Sequence, residues 1–258
     1  MSTILFNEIV FGPVKSRRLG VSLGVNLLPA YGKLCNFNCI YCECGFNEDG
    51  RKDNKLPGIS QVADALESRL KDHDKTIGKI DTITFSGNGE PTLHPEFAAI
   101  INIALGLREK YAPQAQVSVL TNGSRIGERD VCDALLKVDN AIVKLDSAIE
   151  DSVMLIDRPN YKYSVKGLLE NLERLRGRYV LQTMFLRGEF GGAVIDNTTE
   201  REVEEWYRFI DKSTPSKIMI YTIDRETPAE KLLKVSLHDM ELIASPLRAK
   251  GYSVSISG

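Results

Sequence analysis

Lys33-Leu34-Cys35-Asn36-Phe37-Asn38-Cys39-Ile40-Tyr41-Cys42 sets three cysteines at the spacing C-x3-C-x2-C, with an aromatic residue before the third. Thiolates are soft ligands that suit iron–sulfur clusters or zinc. Three thiolates on one short loop can each hold one iron of a [4Fe-4S] cube, which leaves the fourth iron open to a small molecule. Zinc is the main rival, because Cys35, Cys39, Cys42 and Cys44 can in principle make an all-thiolate site. Structural zinc sites usually pair two separated knuckles, and no second knuckle follows here. Cys42-Glu43-Cys44 is also too tight to close a tetrahedron comfortably with the others. A disulfide is not expected, since no signal peptide is visible.

Other segments carry polar groups where strands are expected to end. Ser86-Gly87-Asn88-Gly89-Glu90-Pro91 combines glycines, which let a backbone approach a ligand closely, with a carboxylate. Alone it reads as a tight turn, as does Thr121-Asn122-Gly123. In residues 141–146 the alternation of a strand puts Lys144 and Asp146 on one face and Val143 and Leu145 on the other. If the apolar pair meets the helices, the charged pair points inward, where it must be mutually satisfied or bind something. A structural ion pair and a ligand contact both stay open. Gln182 is a similar polar candidate inside an apolar run, and Tyr221-Thr222-Ile223-Asp224-Arg225 ends a later strand. Lys15, Arg17 and Arg18 form a basic patch that is either a solvated face or, through the arginine forks, a phosphate or carboxylate site. Cys132 reads as a core residue and His73 as a solvated one.

The elements that must position these groups follow from periodicity. Val21, Leu23, Val25 and Leu27 alternate with polar or small residues, which predicts a first strand leading into the cysteine loop. Further strands are expected at residues 80–86, 117–120, 141–145, 179–186 and 217–223, with a possible last one at 252–256. Apolar residues at helical spacing predict helices over 60–73, 130–138, 163–176, 198–211 and 236–250, and one after Pro91 carrying Phe97 to Leu107. Thr198 and Thr199 open one of these and Ser236 another, while Ser245-Pro246 predicts a kink or a restart. Residues 1–18 read as a short N-terminal extension or hairpin lying over one end of the domain, and 45–57 as an exposed loop. Strand and helix thus alternate about six times, as in a parallel sheet with right-handed crossovers. With 258 residues and a net charge of -2, one α/β domain over 1–258 is expected. No long apolar run predicts a membrane span, and the balanced charge gives no general attraction to nucleic acid or membrane. Five cysteines, four of them clustered, suggest metal binding in the reducing cytoplasm.

The cysteine motif resembles that of the radical S-adenosylmethionine (SAM) enzymes. Gly12-Pro13-Val14-Lys15-Ser16-Arg17-Arg18-Leu19-Gly20, followed by Ser22-Leu23-Gly24-Val25-Asn26-Leu27-Leu28-Pro29, resembles one branch, the iron–sulfur oxidoreductases related to wyosine tRNA-base synthetases. The first resemblance covers most of the chain and the second mainly residues 12–45. The resemblance implies a partial (βα)6 TIM-like barrel. It implies that Cys35, Cys39 and Cys42 hold a [4Fe-4S] cluster and that SAM binds its open iron. It further implies reductive cleavage of SAM to a 5′-deoxyadenosyl radical, which takes hydrogen from a substrate at the barrel mouth. Gly87, Asn88, Gly89 and Glu90 match the segment that contacts the SAM amino group, with Asn88 in place of the first glycine of a Gly-Gly-Glu triplet. Tyr41, Asn122, Lys144, Asp146 and Gln182 are the other cofactor-binding candidates; Arg17, Tyr221 and Arg225 are the substrate candidates. An electron donor such as flavodoxin or ferredoxin is implied, with a small-molecule or nucleotide-like substrate, or alternatively a tRNA base or a glycyl-radical protein. Wyosine-type synthetases carry more cysteines before this loop; none precedes Cys35, so a single cluster is expected.

Overall fold

A computed structural model describes residues 4–48, 54–71, 73 and 78–258. The chain runs through β1 (Val10–Ser16), β2 (Gly20–Val25), α1 (Ile59–Lys71), β3 (Thr82–Phe85), α2 (Phe97–Tyr111), β4 (Gln116–Thr121), α3 (Arg129–Leu135) and β5 (Asn140–Lys144). It continues through α4 (Glu150–Ile156), α5 (Val165–Leu172), β6 (Tyr179–Phe190), β7 (Ala193–Asp196), α6 (Glu200–Ser213), β8 (Lys217–Thr222), β9 (Leu232–Lys234), α7 (Leu237–Ala249) and β10 (Val254–Ser257).

The sheet order is β1-β2-β3-β4-β5-β6-β8-β10. From β2 to β10 every neighbouring pair is parallel. Six βα units precede β10, and the sheet curls into a partial (βα)6 barrel with its helices outside. Parallel strands covered by helices read as continuous apolar runs, and Thr82–Phe85 is buried at every position. On the helical side, Val62, Leu66 and Leu70 of α1 pack into the same core as Val143, Leu145 and Leu181. Ser236 and Thr199 accept hydrogen bonds from the Asp239 and Glu202 amides and so cap α7 and α6.

Several details depart from expectation. Residues 10–16 take the hairpin alternative: β1 pairs antiparallel with β2 and extends the sheet at its edge. Helix α7 runs through Pro246 as one element, so it does not restart there. Helix α4 and strands β7 and β9 escape periodicity because each spans only two turns or a few residues; β7 and β9 pair with the outer part of β6. Gly45 and Asn47 of the expected exposed loop are buried, while residues 49–53 lie outside the described residues. His73 is not simply solvated: its ring nitrogens lie 2.9 Å and 3.0 Å from the Gly78 and Tyr111 carbonyls. Cys132 is in the core, as expected.

Candidate active site

The cysteine loop leaves β2 and folds over the C-terminal ends of the parallel strands, where α/β barrels build their sites. It has little regular structure, so its backbone must be satisfied by other means. Asn47 donates from Nδ2 to the Cys35 and Phe37 carbonyls at 3.2 Å and 3.1 Å. The Asn38 amide donates to the Asp157 carbonyl, and that of Ile40 to the Ile156 carbonyl, both at 2.9 Å. The Phe37 amide lies 3.4 Å from Cys35 Sγ, and Asn122 Nδ2 lies 3.8 Å from the same sulfur. Cys39 is buried, and Cys35 and Cys42 are half-buried. Burial, followed by the charge of Glu90, pushes the Cys35 thiol up to about 12. Cys42 is held down to about 5, first by a hydrogen bond from Cys44 and then by Lys33 against the cost of burial.

Lys33 is only 2% exposed, a burial that an isolated ammonium would not tolerate. Its Nζ donates to the Gly45 carbonyl at 2.8 Å and reaches the Cys42 thiol. Burial works against its charge, but the sulfurs of Cys42, Cys35 and Cys39 hold its pKa above the ordinary lysine value. Its carbonyl partner is neutral, so the counter-charge of this ammonium lies on the loop's sulfurs, Cys42 first. Three thiolates bridged to a cluster supply that charge, and the donor set therefore fits the cluster that the motif implies. Among the described residues, no three histidine, cysteine or acidic side chains converge tightly enough to grip a single metal ion. Cys44 instead donates to the Gly87 carbonyl at 3.4 Å.

The Gly87–Glu90 strip holds this loop in place. Leu34 and Gly89 form a parallel bridge: the Leu34 amide donates to the Asn88 carbonyl at 2.9 Å, and the Glu90 amide to the Leu34 carbonyl at 3.0 Å. Gly89 has φ +133°, and a methyl group there would collide with the Leu34 carbonyl. Two side chains of the strip have well-defined protein partners. Asn88 is fully buried; its Nδ2 donates to the Phe6 and Pro29 carbonyls at 2.8 Å and 2.7 Å, and its Oδ1 accepts from the Phe6 amide. Glu90 accepts from the Thr92 amide and hydroxyl, the Thr121 hydroxyl at 2.7 Å and the Asn122 amide at 2.6 Å. Burial pushes its carboxyl upward, and these donors pull the other way. Both side chains are engaged with the protein itself, and the Gly89 carbonyl is not used in the bridge. Asn122 stands at the end of β4, with Nδ2 2.7 Å from Asn36 Oδ1.

The opposite wall is charged. Strand alternation places Lys144 inside, in register with Gln182 and, beyond it, Met219. Lys144 Nζ lies 2.7 Å from Asp146 Oδ2 and also pairs with Asp157. Tyr41 donates its hydroxyl to Asp146, whose other oxygen accepts the Met184 amide at 2.8 Å. Burial disfavours the Lys144 charge, yet its two carboxylates hold it well above the usual lysine range. Burial pushes Asp157 up to about 7, opposed by Lys144. The structure thus gathers Tyr41, Lys144, Asp146, Gln182 and Tyr221 on one side of the lumen. The two flanking arginines are each in a half-exposed ion pair: Arg17 with Asp224 at 3.3 Å and Arg225 with Glu43 of the cysteine loop. Lys33, Asp157 and Asn47 were missed. Lys33 follows a glycine and looks like a solvated charge, and Asp157 ends the short helix α4.

Residues 31–210 match the family model described as the Radical SAM superfamily. Over 236 residues the chain is 32% identical to the protein named GTPase Obg of Brachyspira hyodysenteriae; the match covers 90% of this chain but 32% of that protein, about a third of its length. A UPF0026 protein of Helicobacter pylori is 29% identical over 252 residues, 96% of this chain and 76% of the relative. The fold resembles that of Streptococcus suis SuiB bound to its precursor peptide SuiA, with a TM-score of 0.64 at 11% identity over 91% of this chain and 48% of that one. No helix among the described residues is long and apolar enough to cross a membrane.

Proposed function

The chain belongs to the radical SAM superfamily, and we propose that Cys35, Cys39 and Cys42 are the thiolates that hold its [4Fe-4S] cluster, with SAM seated between the Gly87–Glu90 strip and the charged wall. It is an enzyme, and its cofactors are the cluster and SAM. When bound, these supply reductive cleavage of SAM and a carbon radical that takes hydrogen from substrate. The observation that carries the ligand assignment is Lys33, an ammonium 2% exposed whose charge partners among the described residues are the sulfurs of this loop. The protein's own part is to bind, orient and exclude water. The Leu34–Gly89 bridge fixes the loop against β3 and leaves the Gly89 carbonyl to accept from the SAM amino group. Asn122, beside Cys35, limits solvent access to that sulfur. Tyr41 and Lys144 reach into the lumen toward the nucleoside half of SAM, and Asp146 holds both in place.

The substrate reading is a small-molecule or nucleotide-like compound. Leu19 and Leu120 pack with Ile142, Val180 and Met219 and close the lumen beneath the polar wall, which favours a compact substrate. A one-electron donor such as flavodoxin or ferredoxin supplies the reducing equivalent. The ligand assignment is tested by anaerobic reconstitution with iron and sulfide, metal analysis and electron paramagnetic resonance of the reduced protein with and without SAM. About four irons per chain and a SAM-dependent change of the spectrum are expected. Each single alanine variant of Cys35, Cys39 and Cys42 should lose the cluster, and Cys44→Ala should keep it. Zinc without iron or sulfide, or a cluster that needs Cys44 but not Cys35, would overturn the assignment.

A further inference from the structure

The turn between β1 and β2 does not project into solvent as an ordinary hairpin tip. Ser16 Oγ accepts from the Arg18 and Leu19 amides at 3.3 Å and 3.1 Å and fixes the turn. Leu19 inserts into the apolar floor of the lumen, and Arg17 is tied to Asp224 beyond β8. Between them, Arg18 lays its guanidinium over the Tyr221 ring, 4.3 Å from the centroid. Nη1 of Arg18 is buried and has no hydrogen-bond partner among the described residues. The neighbouring charges are already matched: Lys144 has Asp146 and Asp157, and Asp224 is shared by Arg17 and, at 3.8 Å, Lys234.

A guanidinium stays charged at any physiological pH and presents five donors in a planar fork. Stacking on an aromatic ring offsets part of its desolvation but satisfies no N–H. The missing partner is an acceptor that brings negative charge and can take parallel N–H bonds, which describes a phosphate or carboxylate. The Tyr221 hydroxyl lies against that of Tyr41, and Tyr41 belongs to the cysteine loop. Arg18 is thus one ring removed from the loop that carries the reactive centre, on the lumen side.

We propose that Arg18 is an oxyanion subsite on the lumen wall, which anchors a phosphate or carboxylate group of the substrate. This rests on reading the lumen as the substrate chamber. It makes the substrate an anionic compound held by its charged end, with the reacting carbon turned toward the cysteine loop. Leu19 and the Arg17–Asp224 pair act as positioning groups for the turn.

The test uses the reconstituted protein and inorganic phosphate as probe. Equilibrium dialysis with radiolabelled phosphate is expected to show saturable binding. Binding should weaken about tenfold or more in Arg18→Gln, recover in part in Arg18→Lys, and stay unchanged in Lys15→Gln on the same hairpin. Iron content and circular dichroism of each variant check that it folds. Displacement by malonate extends the subsite to carboxylates, and lack of displacement restricts it to phosphate. Absence of saturable binding, or equal binding by wild type and Arg18→Gln, overturns the proposal. The SAM-dependent spectral change should be the same in Arg18→Gln as in wild type. Its loss in that variant would make the bound anion the SAM carboxylate and also overturn the substrate subsite. If no variant or wild-type protein took up a cluster while Arg18-dependent phosphate binding persisted, the cofactor reading would fail and the subsite would stand.

Discussion

The two sides of the barrel mouth use polar residues differently. Along β2, β3 and β4, the side chains of Asn26, Asn88 and Glu90 are fully engaged with protein groups: Asn26 with Phe6, Leu28 and Asn88, Asn88 with Phe6 and Pro29, and Glu90 with Thr92, Thr121 and Asn122. Along β5, β6 and β8, Lys144, Gln182 and Tyr221 face the lumen, and Arg18 meets them with a buried donor unpaired. The first side fixes a loop that has no secondary structure of its own, and the second presents charge. Buried polar groups rigidify when every member is satisfied and otherwise mark a place for something else. The difference suits a site with a fixed cofactor end and a variable substrate end.

The largest effect expected outside the cysteines tests the charged side. Lys144→Met removes the ammonium from two buried carboxylates and should cost about 3–5 kcal/mol in urea unfolding, with part recovered in Lys144→Met/Asp157→Asn. Failure of the second substitution to recover stability would mean that Lys144 is not their counter-charge. On the latch side, Gly89→Ala should cost about 3 kcal/mol, because it strains the backbone and breaks the Leu34 bridge. It should also lower iron retention, which the Lys144 double variant should not. Glu90→Gln keeps shape but loses the charged acceptor of four donors, for an expected loss of about 2 kcal/mol.

A smaller effect separates the sides by pH. Asp157, raised by burial to about 7, binds a proton in the folded state that an unfolded aspartate has released. Its contribution is therefore full below the ordinary aspartate range and is lost as pH rises through about 7. Unfolding free energies measured between pH 5 and pH 8 should fall with pH in wild type and flatten in Asp157→Asn. The smallest change is expected at Arg17→Ala, whose half-exposed pair with Asp224 should be worth less than about 1 kcal/mol.

The parts of the molecule set by local pattern were legible in the sequence. The cysteine spacing, the alternation that turns Lys144 inward and the six βα units each depend on neighbours a few residues away. What stayed hidden depends on distant partners. Asn88 looks like a departure in a ligand-binding turn until Phe6, 82 residues earlier, is seen to complete its bonds. Glu90 has a ligand-like residue type but is used by Thr121 and Asn122 of the next strand. Lys33 and Arg18 are charges whose burial no local pattern announces, because the groups that cover them come from Gly45 and from Tyr221. The long-range ion pairs of Arg17 with Asp224 and of Arg225 with Glu43 likewise have no local signal.

The most direct measurement is 5′-deoxyadenosine formation. The anaerobically reconstituted protein is mixed with dithionite and SAM, and the product is quantified beside Cys39→Ala. Product in wild type and none in Cys39→Ala is the expected result. An equal yield in the variant, or neither product nor SAM binding by a wild-type protein that carries its full iron and sulfide, would contradict the assignment of this loop as the reactive centre.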